Sequence, residues 1–203
     1  MAWGAATDYS LNGANWGETY PLCKLGKEQT PIDLTRKDSS TSESMMVNGF
    51  GYKNYPNMTV SRNAGTIVIP NVTDGTFEID FPDGSKSLFT PAQFHFHAPS
   101  EHSVNGKLYD LEMHIVHFYK DQPGALGAVI GIFFDREAGG NYVNPFIESL
   151  QFDATADPTP EIEITDLNLS NFLAGIDFSK YWSYPGSLTT PPCTEGIKWS
   201  VVE

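Results

Sequence analysis

The chain is short of cysteine, basic residues and long apolar runs, and each shortage excludes a class of protein. Two cysteines, far apart in the sequence, make no cysteine metal motif. Twelve basic against 25 acidic residues give a net charge of −13, which disfavours nucleic acid and anionic membrane surfaces as partners. No apolar run reaches the roughly 18–20 residues of a transmembrane helix, so we expect no membrane span. Histidine is confined to five positions within residues 95–117.

The sequence is divided into short segments typical of a mainly β protein. Fourteen prolines and 18 glycines separate short aromatic and β-branched runs, and residues 81–84 predict a turn between strands. Helical signals are sparse: Asn144 and Pro145 favour a short helix over residues 144–151, and another helical turn is predicted near residues 169–173. Since there is no repeat or low-complexity linker, we expect residues 1–203 to form one domain.

The histidine window combines two predicted strands. Residues 93–97 and 111–118 alternate with a period of two, and Asn105-Gly106 between them is a strong hairpin-turn signal, so we predict a two-stranded hairpin. Successive side chains on a strand point to opposite faces. His95 and His97 therefore share one face, and His114 shares a face with Glu112 and Val116 on the partner strand. Three imidazoles can converge on one point.

Such a point suits a metal ion. Catalytic zinc takes three protein ligands, with nitrogen at about 2.0–2.1 Å, and keeps a fourth position open. Gln93 and Glu112 lie two residues from His95 and His114, where they can bind the second ring nitrogen.

The remaining two histidines have a plainer interpretation. His117 points to the opposite face, alongside Met113 and Ile115, and His102 lies in an irregular stretch, so both are predicted to be structural. The alternative for the whole window is a set of hydrogen-bonded core histidines without a metal. The third histidine in register and the two placed partners favour the metal.

Motifs spread over almost the whole chain carry a family resemblance. They are Trp16, residues 29–33, 93–97, 101–102, 112–117, 131–133 and 181–192, and Trp199. In order and spacing they resemble the α-class carbonic anhydrases. The resemblance implies a single domain with a large, twisted, mostly antiparallel sheet, a few short surface helices and a conical cleft that reaches Zn²⁺.

The resemblance also implies roles for individual residues. His95, His97 and His114 would bind zinc, and Gln93 and Glu112 would orient His95 and His114. Thr189 would accept a hydrogen bond from zinc-bound hydroxide and direct its own proton toward Glu101, while Thr190 would lie beside the product. The apolar wall for carbon dioxide would comprise Val116, Val129, Leu188, Ile197 and Trp199.

The implied activity is the reversible hydration of carbon dioxide to bicarbonate, by attack of the zinc-bound hydroxide. Sulfonamide inhibition and a side activity on esters are expected with it. The alternative is a non-catalytic relative that uses the same fold as a binding or structural protein, since fold alone does not decide function.

Three departures from the family pattern modify this expectation. Thr66 stands where the fastest members have a proton-relaying histidine, and threonine does not titrate near neutrality. Ala5 stands where many members have a cleft tyrosine. Members usually continue for about fifty residues beyond Glu203, including a backbone acceptor for His97. Three explanations are open: a separate C-terminal polypeptide that completes the fold, a cropped sequence, or a real loss. A real loss would leave a sheet edge uncovered, and a homodimer or a dependent heteromer would then cover it.

Cys23 and Cys193 coincide with a disulfide found in many secreted members, where it anchors the loop that carries Thr189 and Thr190. Two buried thiols are the alternative. A disulfide implies an oxidising compartment, so we expect a secreted, periplasmic or organelle-lumen protein, although residues 1–4 lack the regions of a signal peptide. The acidic surface is explained by solubility or by a salty or extracellular medium.

Overall fold

Short strands dominate the structure. The computed structural model describes residues 9–35, 46–63, 66–70, 72, 75–81, 83–138, 142–152 and 161–203, with the backbone alone at 46–50, 61–63 and 66. The helices within these residues are α1 (Trp16–Thr19), α2 (Leu22–Leu25), α3 (Pro145–Ser149) and α4 (Leu169–Ala174). The strands are β1 (Asp33–Leu34), β2 (Met46–Phe50), β3 (Tyr55–Asn63), β4 (Thr66–Pro70), β5 (Phe77–Asp80), β6 (Lys86–His97), β7 (Ser103–Val104), β8 (Lys107–Leu108), β9 (Leu111–Tyr119), β10 (Leu126–Phe134), β11 (Ile162–Leu167), β12 (Tyr181–Ser187) and β13 (Glu195–Val202).

Most of these strands form one large sheet. Its order is β11-β3-β4-β6-β9-β10-β13-β12, with β5 also paired to β6 and β2 to β5. Neighbours in this sheet are antiparallel except β10 and β13, which are parallel. A small second sheet has the order β1-β7-β8. The expected mainly β fold with a large, mostly antiparallel sheet is confirmed.

The two faces of the sheet bury different sets of side chains. Phe94, Met113 and Ile115 point into the larger apolar core, which α3 and α4 also cover. The alternate positions of β6 and β9 point to the other face, where a smaller apolar cluster includes Val116 and Trp199. Because strand side chains alternate, the larger core fixes which residues of β6 and β9 face the smaller cluster.

The two predicted helices are present. The Asn144 side chain accepts hydrogen bonds from the backbone N–H groups of Phe146 and Ile147, which caps α3 as Asn-Pro suggested. Asn168 caps α4 in the same way, through the N–H of Asn171. A turn also joins β5 and β6, although Pro82 itself lies outside the described residues. None of the described helices is long and apolar enough to span a membrane.

The prediction that Asn105-Gly106 connects the two histidine strands in a hairpin is wrong. The two histidine strands, β6 and β9, pair antiparallel as expected, with His95 opposite His114. Asn105 and Gly106, however, adopt positive φ angles of 51° and 78° at the tip of the smaller β7–β8 hairpin. A type I′ turn connects strands two residues apart, whereas residues 98–110 separate β6 from β9. The local turn signal was correct, but it belonged to the small sheet.

His117 occupies the core face of β9, as predicted for a structural histidine. The Tyr52 hydroxyl lies 2.5 Å from His117 Nε2, and the Phe77 ring packs 4.9 Å from the imidazole centroid. Burial lowers the pKa of His117 to about 3, against an ordinary value of 6.5. The folded protein therefore keeps this imidazole neutral across a pH range in which the unfolded chain becomes protonated.

This difference predicts acid destabilisation. The contribution of His117 is fully present above about pH 6.5 and is lost as the pH falls through the folded pKa near 3. Between pH 7 and pH 5 we expect the wild type to lose about 2 kcal/mol more unfolding free energy than His117→Gln. Urea titrations at both pH values measure the difference. Equal losses in the two proteins would contradict it.

Candidate metal centre

Strands β6 and β9 bring three histidines to one point. His95 lies directly opposite His114, and His97 lies two residues along β6 on the same face. The ring centroids are 4.9 Å apart for His95 and His97, 5.1 Å for His95 and His114, and 4.7 Å for His97 and His114. One nitrogen from each ring lies within 4.8 Å of the other two. This spacing fits ligands that share a single metal ion.

The environment keeps two of these imidazoles neutral. Burial, followed by the neighbouring imidazoles His114 and His97, lowers the pKa of His95 well below its ordinary value. Burial lowers the pKa of His97 to about 3, and His114 adds to the shift. Metal ligands must present an unprotonated nitrogen. The site therefore favours the protonation state that metal binding requires.

Two buried polar atoms without hydrogen bonds fit a cation site at this point. His97 Nε2 and Glu101 Oε2 are buried, and neither makes a hydrogen bond within the described residues. They lie 3.4 Å apart, and Glu101 Oε2 is 3.8 Å from His114 Nδ1. Buried polar atoms without partners are rare in folded proteins and require an explanation. A cation bound by the three imidazoles fits these atoms.

His95 and His114 each have a hydrogen-bond partner on their own strand. Gln93 Oε1 is 3.0 Å from His95 Nδ1, and Glu112 Oε1 is 2.9 Å from His114 Nε2. The bonds engage one ring nitrogen of each of these two histidines, and both rings also belong to the three-histidine group. Gln93 and Glu112 thus occupy the positions that the sequence suggested for orienting groups.

Glu112 has more partners than the sequence indicated. Its Oε1 is also 2.6 Å from His102 Nδ1, and its Oε2 accepts the backbone N–H groups of Glu101 and His102. Burial raises the pKa of Glu112, but His114 and the hydrogen bonds from both imidazoles outweigh it, so the net pKa lies well below the ordinary value. His102 is buried and hydrogen-bonded, which fits the predicted structural role, and it shares Glu112 with the histidine cluster.

Glu101 lies between the histidine cluster and Thr189. Burial raises the pKa of Glu101 to about 8, against the effect of a hydrogen bond from the Thr189 hydroxyl. This contact places the Thr189 hydroxyl beside Glu101.

Four residues of the expected apolar wall form one buried cluster beside the histidines. They are Val116, Val129, Ile197 and Trp199. The Trp199 ring packs edge-on against His114, with centroids 4.9 Å apart. Leu188 is half-buried and lies outside this cluster, in the segment that follows β12. The wall therefore comes from β9, β10 and β13, which are neighbours in the sheet.

Residues 188–194, here called the threonine loop, carry Thr189 and Thr190. The Leu188 N–H donates to Thr194 O, and the Cys193 N–H donates to Thr190 O, each at 2.9 Å. Cys193 forms the expected disulfide with Cys23, which confirms the pairing suggested by the resemblance. Gln29 Nε2 also donates to Cys193 O at 3.2 Å. The N-terminal part of the chain thus holds this loop against the sheet.

The two predicted departures in the cleft lie largely outside the described part of the chain. Ala5 is not among the described residues, and Thr66 is described only by its backbone at the start of β4.

Sequence reasoning missed Tyr9, whose pKa is raised to about 12 by partial burial and by the charge of Glu101. Tyr9 packs edge-on against Trp16, with centroids 5.2 Å apart. The sequence signal that could have identified Tyr9 is its position seven residues before Trp16, which is one of the motifs of the family resemblance.

Comparisons with known proteins agree with this geometry. Residues 11–203 match the family described as eukaryotic-type carbonic anhydrase. A carbonic anhydrase from a Nostoc species is 37% identical over 198 residues, which cover 93% of this chain and 68% of that protein. The chain therefore belongs to the eukaryotic-type, or α-class, carbonic anhydrase family, and the same matches identify it as an enzyme of that class.

Solved structures show the same fold. The α-carbonic anhydrase of Photobacterium profundum has a TM-score of 0.78 and 30% identity, covering 97% of this chain and 84% of that one. The α-carbonic anhydrase of Thermovibrio ammonificans, in complex with the inhibitor sulfanilamide, has a TM-score of 0.74 and 33% identity, covering 98% and 84%. Members of this family are zinc enzymes that hydrate carbon dioxide.

The disulfide leads to a prediction on stability. Replacing both Cys23 and Cys193 by alanine frees a closed loop of 170 residues and should lower the unfolding free energy by about 2–5 kcal/mol. Urea unfolding at pH 7 measures the loss. Reducing agent should destabilise the wild type and leave the double variant unchanged. Equal stability of the two oxidised proteins would contradict the prediction.

Proposed function

We propose that this chain binds one Zn²⁺ through His95, His97 and His114 and catalyses the reversible hydration of carbon dioxide. The main supporting observation is the convergence of three imidazoles on a point where His97 Nε2 has no hydrogen-bond partner among the described residues. In carbonic anhydrases, the reference case for this effect, bound zinc lowers the pKa of a water ligand to about 7 and so supplies a hydroxide nucleophile at neutral pH.

Thr189 and Glu101 would orient the nucleophile. A Thr189 hydroxyl that donates a hydrogen bond to Glu101 would keep its oxygen lone pairs to accept a hydrogen bond from the nucleophile. This arrangement selects one orientation of the attacking oxygen. The hydrogen bonds from the backbone to Glu112 hold Glu101 in place at the same time.

The apolar wall would bind the substrate. Carbon dioxide has no net dipole and gains little from polar groups, so an apolar surface beside the nucleophile is suitable. Val116, Val129 and Trp199 provide that surface next to His114. Leu188 and Thr190, on the threonine loop, would close the pocket on the product side.

A paired measurement of zinc and activity tests this function. We expect about one zinc per chain, hydration of carbon dioxide, and its loss on adding a sulfonamide, the inhibitor class bound by the Thermovibrio ammonificans relative. His114→Gln should lose zinc and activity, whereas His117→Gln, on the opposite face of the same strand, should keep the metal. Stoichiometric zinc without inhibitable hydration would establish the non-catalytic alternative.

Thr189 provides a second, independent test. Thr189→Ala should lower kcat/KM on the order of 10²-fold without loss of zinc, because a misplaced nucleophile reacts far more slowly. Thr194→Ala, an exposed threonine of the same loop, is the matched control and should resemble the wild type. Equal activity of the two variants would contradict the role of Thr189. Ester hydrolysis, measured in parallel, shows whether the same nucleophile has a side activity.

Proton export is expected to limit turnover, since threonine at position 66 cannot relay a proton. Adding imidazole buffer at constant pH and ionic strength should raise kcat and leave kcat/KM unchanged, because the small base carries the proton instead. Thr66→His should reduce the dependence on buffer. A high kcat that does not respond to imidazole would refute this prediction.

We also propose an oxidising location, secreted, periplasmic or within an organelle, because the Cys23–Cys193 disulfide is stable there. Residues 1–203 are proposed to act as one domain. A homodimer, or a separate polypeptide that completes the fold, stays a hypothesis for native mass measurements.

A further inference from the structure

A buried row of hydrogen bonds connects the end of β12, next to the threonine loop, with the carboxylate beside the metal centre. The Ser187 N–H donates to Thr30 Oγ1 at 3.0 Å, and this hydroxyl lies 3.2 Å from the Tyr184 hydroxyl. The Tyr184 oxygen is 2.6 Å from His102 Nε2, and His102 Nδ1 is 2.6 Å from Glu112 Oε1. Five residues from distant parts of the sequence thus form one continuous row.

The groups of this row complement one another as donors and acceptors. Glu112 Oε2 accepts two backbone N–H groups, and its Oε1 lies 2.6 Å from His102 Nδ1, so the other ring nitrogen of His102, Nε2, meets the Tyr184 hydroxyl. The Tyr184 hydroxyl also contacts Thr30 Oγ1, which accepts the Ser187 N–H. Removing the Tyr184 hydroxyl breaks the row in the middle.

The end of the row touches the proposed metal ligand. Glu112 Oε1 is shared by His102 and His114, at 2.6 and 2.9 Å. The orientation of His114 therefore depends on a carboxylate whose other imidazole partner is held by Tyr184. A change in the orientation of the His102 ring would therefore alter the orientation of His114 through Glu112 Oε1.

The start of the row fixes the threonine loop. Thr30 and Ser187 exchange two hydrogen bonds, because the Thr30 N–H also donates to Ser187 Oγ at 2.9 Å. The Ser187 hydroxyl donates to Leu188 O, and Trp199 Nε1 donates to Ser187 O, each at 2.9 Å. Thr189 follows directly. Its position is thus set by the same residues that contact Tyr184.

We propose that Tyr184 is a positioning residue for the metal centre, acting through His102 and Glu112 on His114 and through Thr30 on the threonine loop. The inference rests on the proposed function, since it assumes that His114 binds the metal. Tyr184 touches neither metal nor substrate in this scheme. Its effect is to hold the metal ligand and the nucleophile-orienting threonine in one mutual geometry.

Zinc affinity and cobalt spectroscopy test the proposal without relying on activity. Partners that hydrogen-bond a metal ligand typically change affinity by 10–100-fold, and Tyr184 acts through such a partner, so we expect Tyr184→Phe to raise the zinc Kd about tenfold. Thr30→Val should have the same effect, and Thr30→Ser, which keeps the hydroxyl, should restore the wild-type value. The visible spectrum of Co²⁺ in the site should change in the same two variants.

Tyr52→Phe is the matched control. Tyr52 makes the same kind of bond, from a buried phenol to a buried imidazole, but its partner His117 lies on the other face of β9. It should lose stability while matching the wild type in zinc Kd and Co²⁺ spectrum.

The outcomes separate the inference from the function. A Tyr184→Phe protein with wild-type zinc Kd and spectrum would overturn the inference, and so would an equal loss of affinity in Tyr52→Phe. A wild type that binds no zinc would overturn the proposed function itself, and the inference with it.

Discussion

The register between β6 and β9 is the constraint on which the site depends. His95 faces His114 across this pair, and a shift by one residue would turn every side chain of one strand to the opposite face. The larger core prevents such a shift, because Phe94, Met113 and Ile115 would leave it. Apolar burial on one face of the sheet thus fixes the proposed metal ligands on the other, and burying each large side chain contributes roughly 1.5–3 kcal/mol.

The polar groups of the buried site are stable because they satisfy one another. An isolated buried carboxylate would be strongly destabilising, yet Glu112 accepts two backbone N–H groups and two imidazoles. The exceptions are informative. His97 Nε2 and Glu101 Oε2 have no hydrogen bond within the described residues, and they lie 3.4 Å apart. The surrounding hydrogen bonds therefore leave these two atoms able to interact with a bound cation.

Period-two alternation was enough to predict the histidine face, because that pattern is local. The cap of α3 followed from Asn-Pro for the same reason. For α4 only the helical turn was predicted, and its cap at Asn168 is a finding of the structure. The Asn105-Gly106 turn was recognised but assigned to the wrong strands, since turn chemistry says nothing about which strands it joins. Contacts such as that between His102 and Tyr184, 82 residues apart, leave no periodic signal and required the fold. The four-residue helices α1 and α2 are too short for a pattern.

The two halves of the site differ in how far apart their parts lie along the chain. His95 and His114 are 19 residues apart, whereas Val129 and Trp199, which pair between the parallel strands β10 and β13, are 70 apart. Closing the longer loop costs about 1 kcal/mol more in chain entropy. The histidine cluster is thus built from residues close together in the sequence, and the apolar wall from residues far apart. Changes in the wall can alter its surface while the two histidine strands keep their own short-range support.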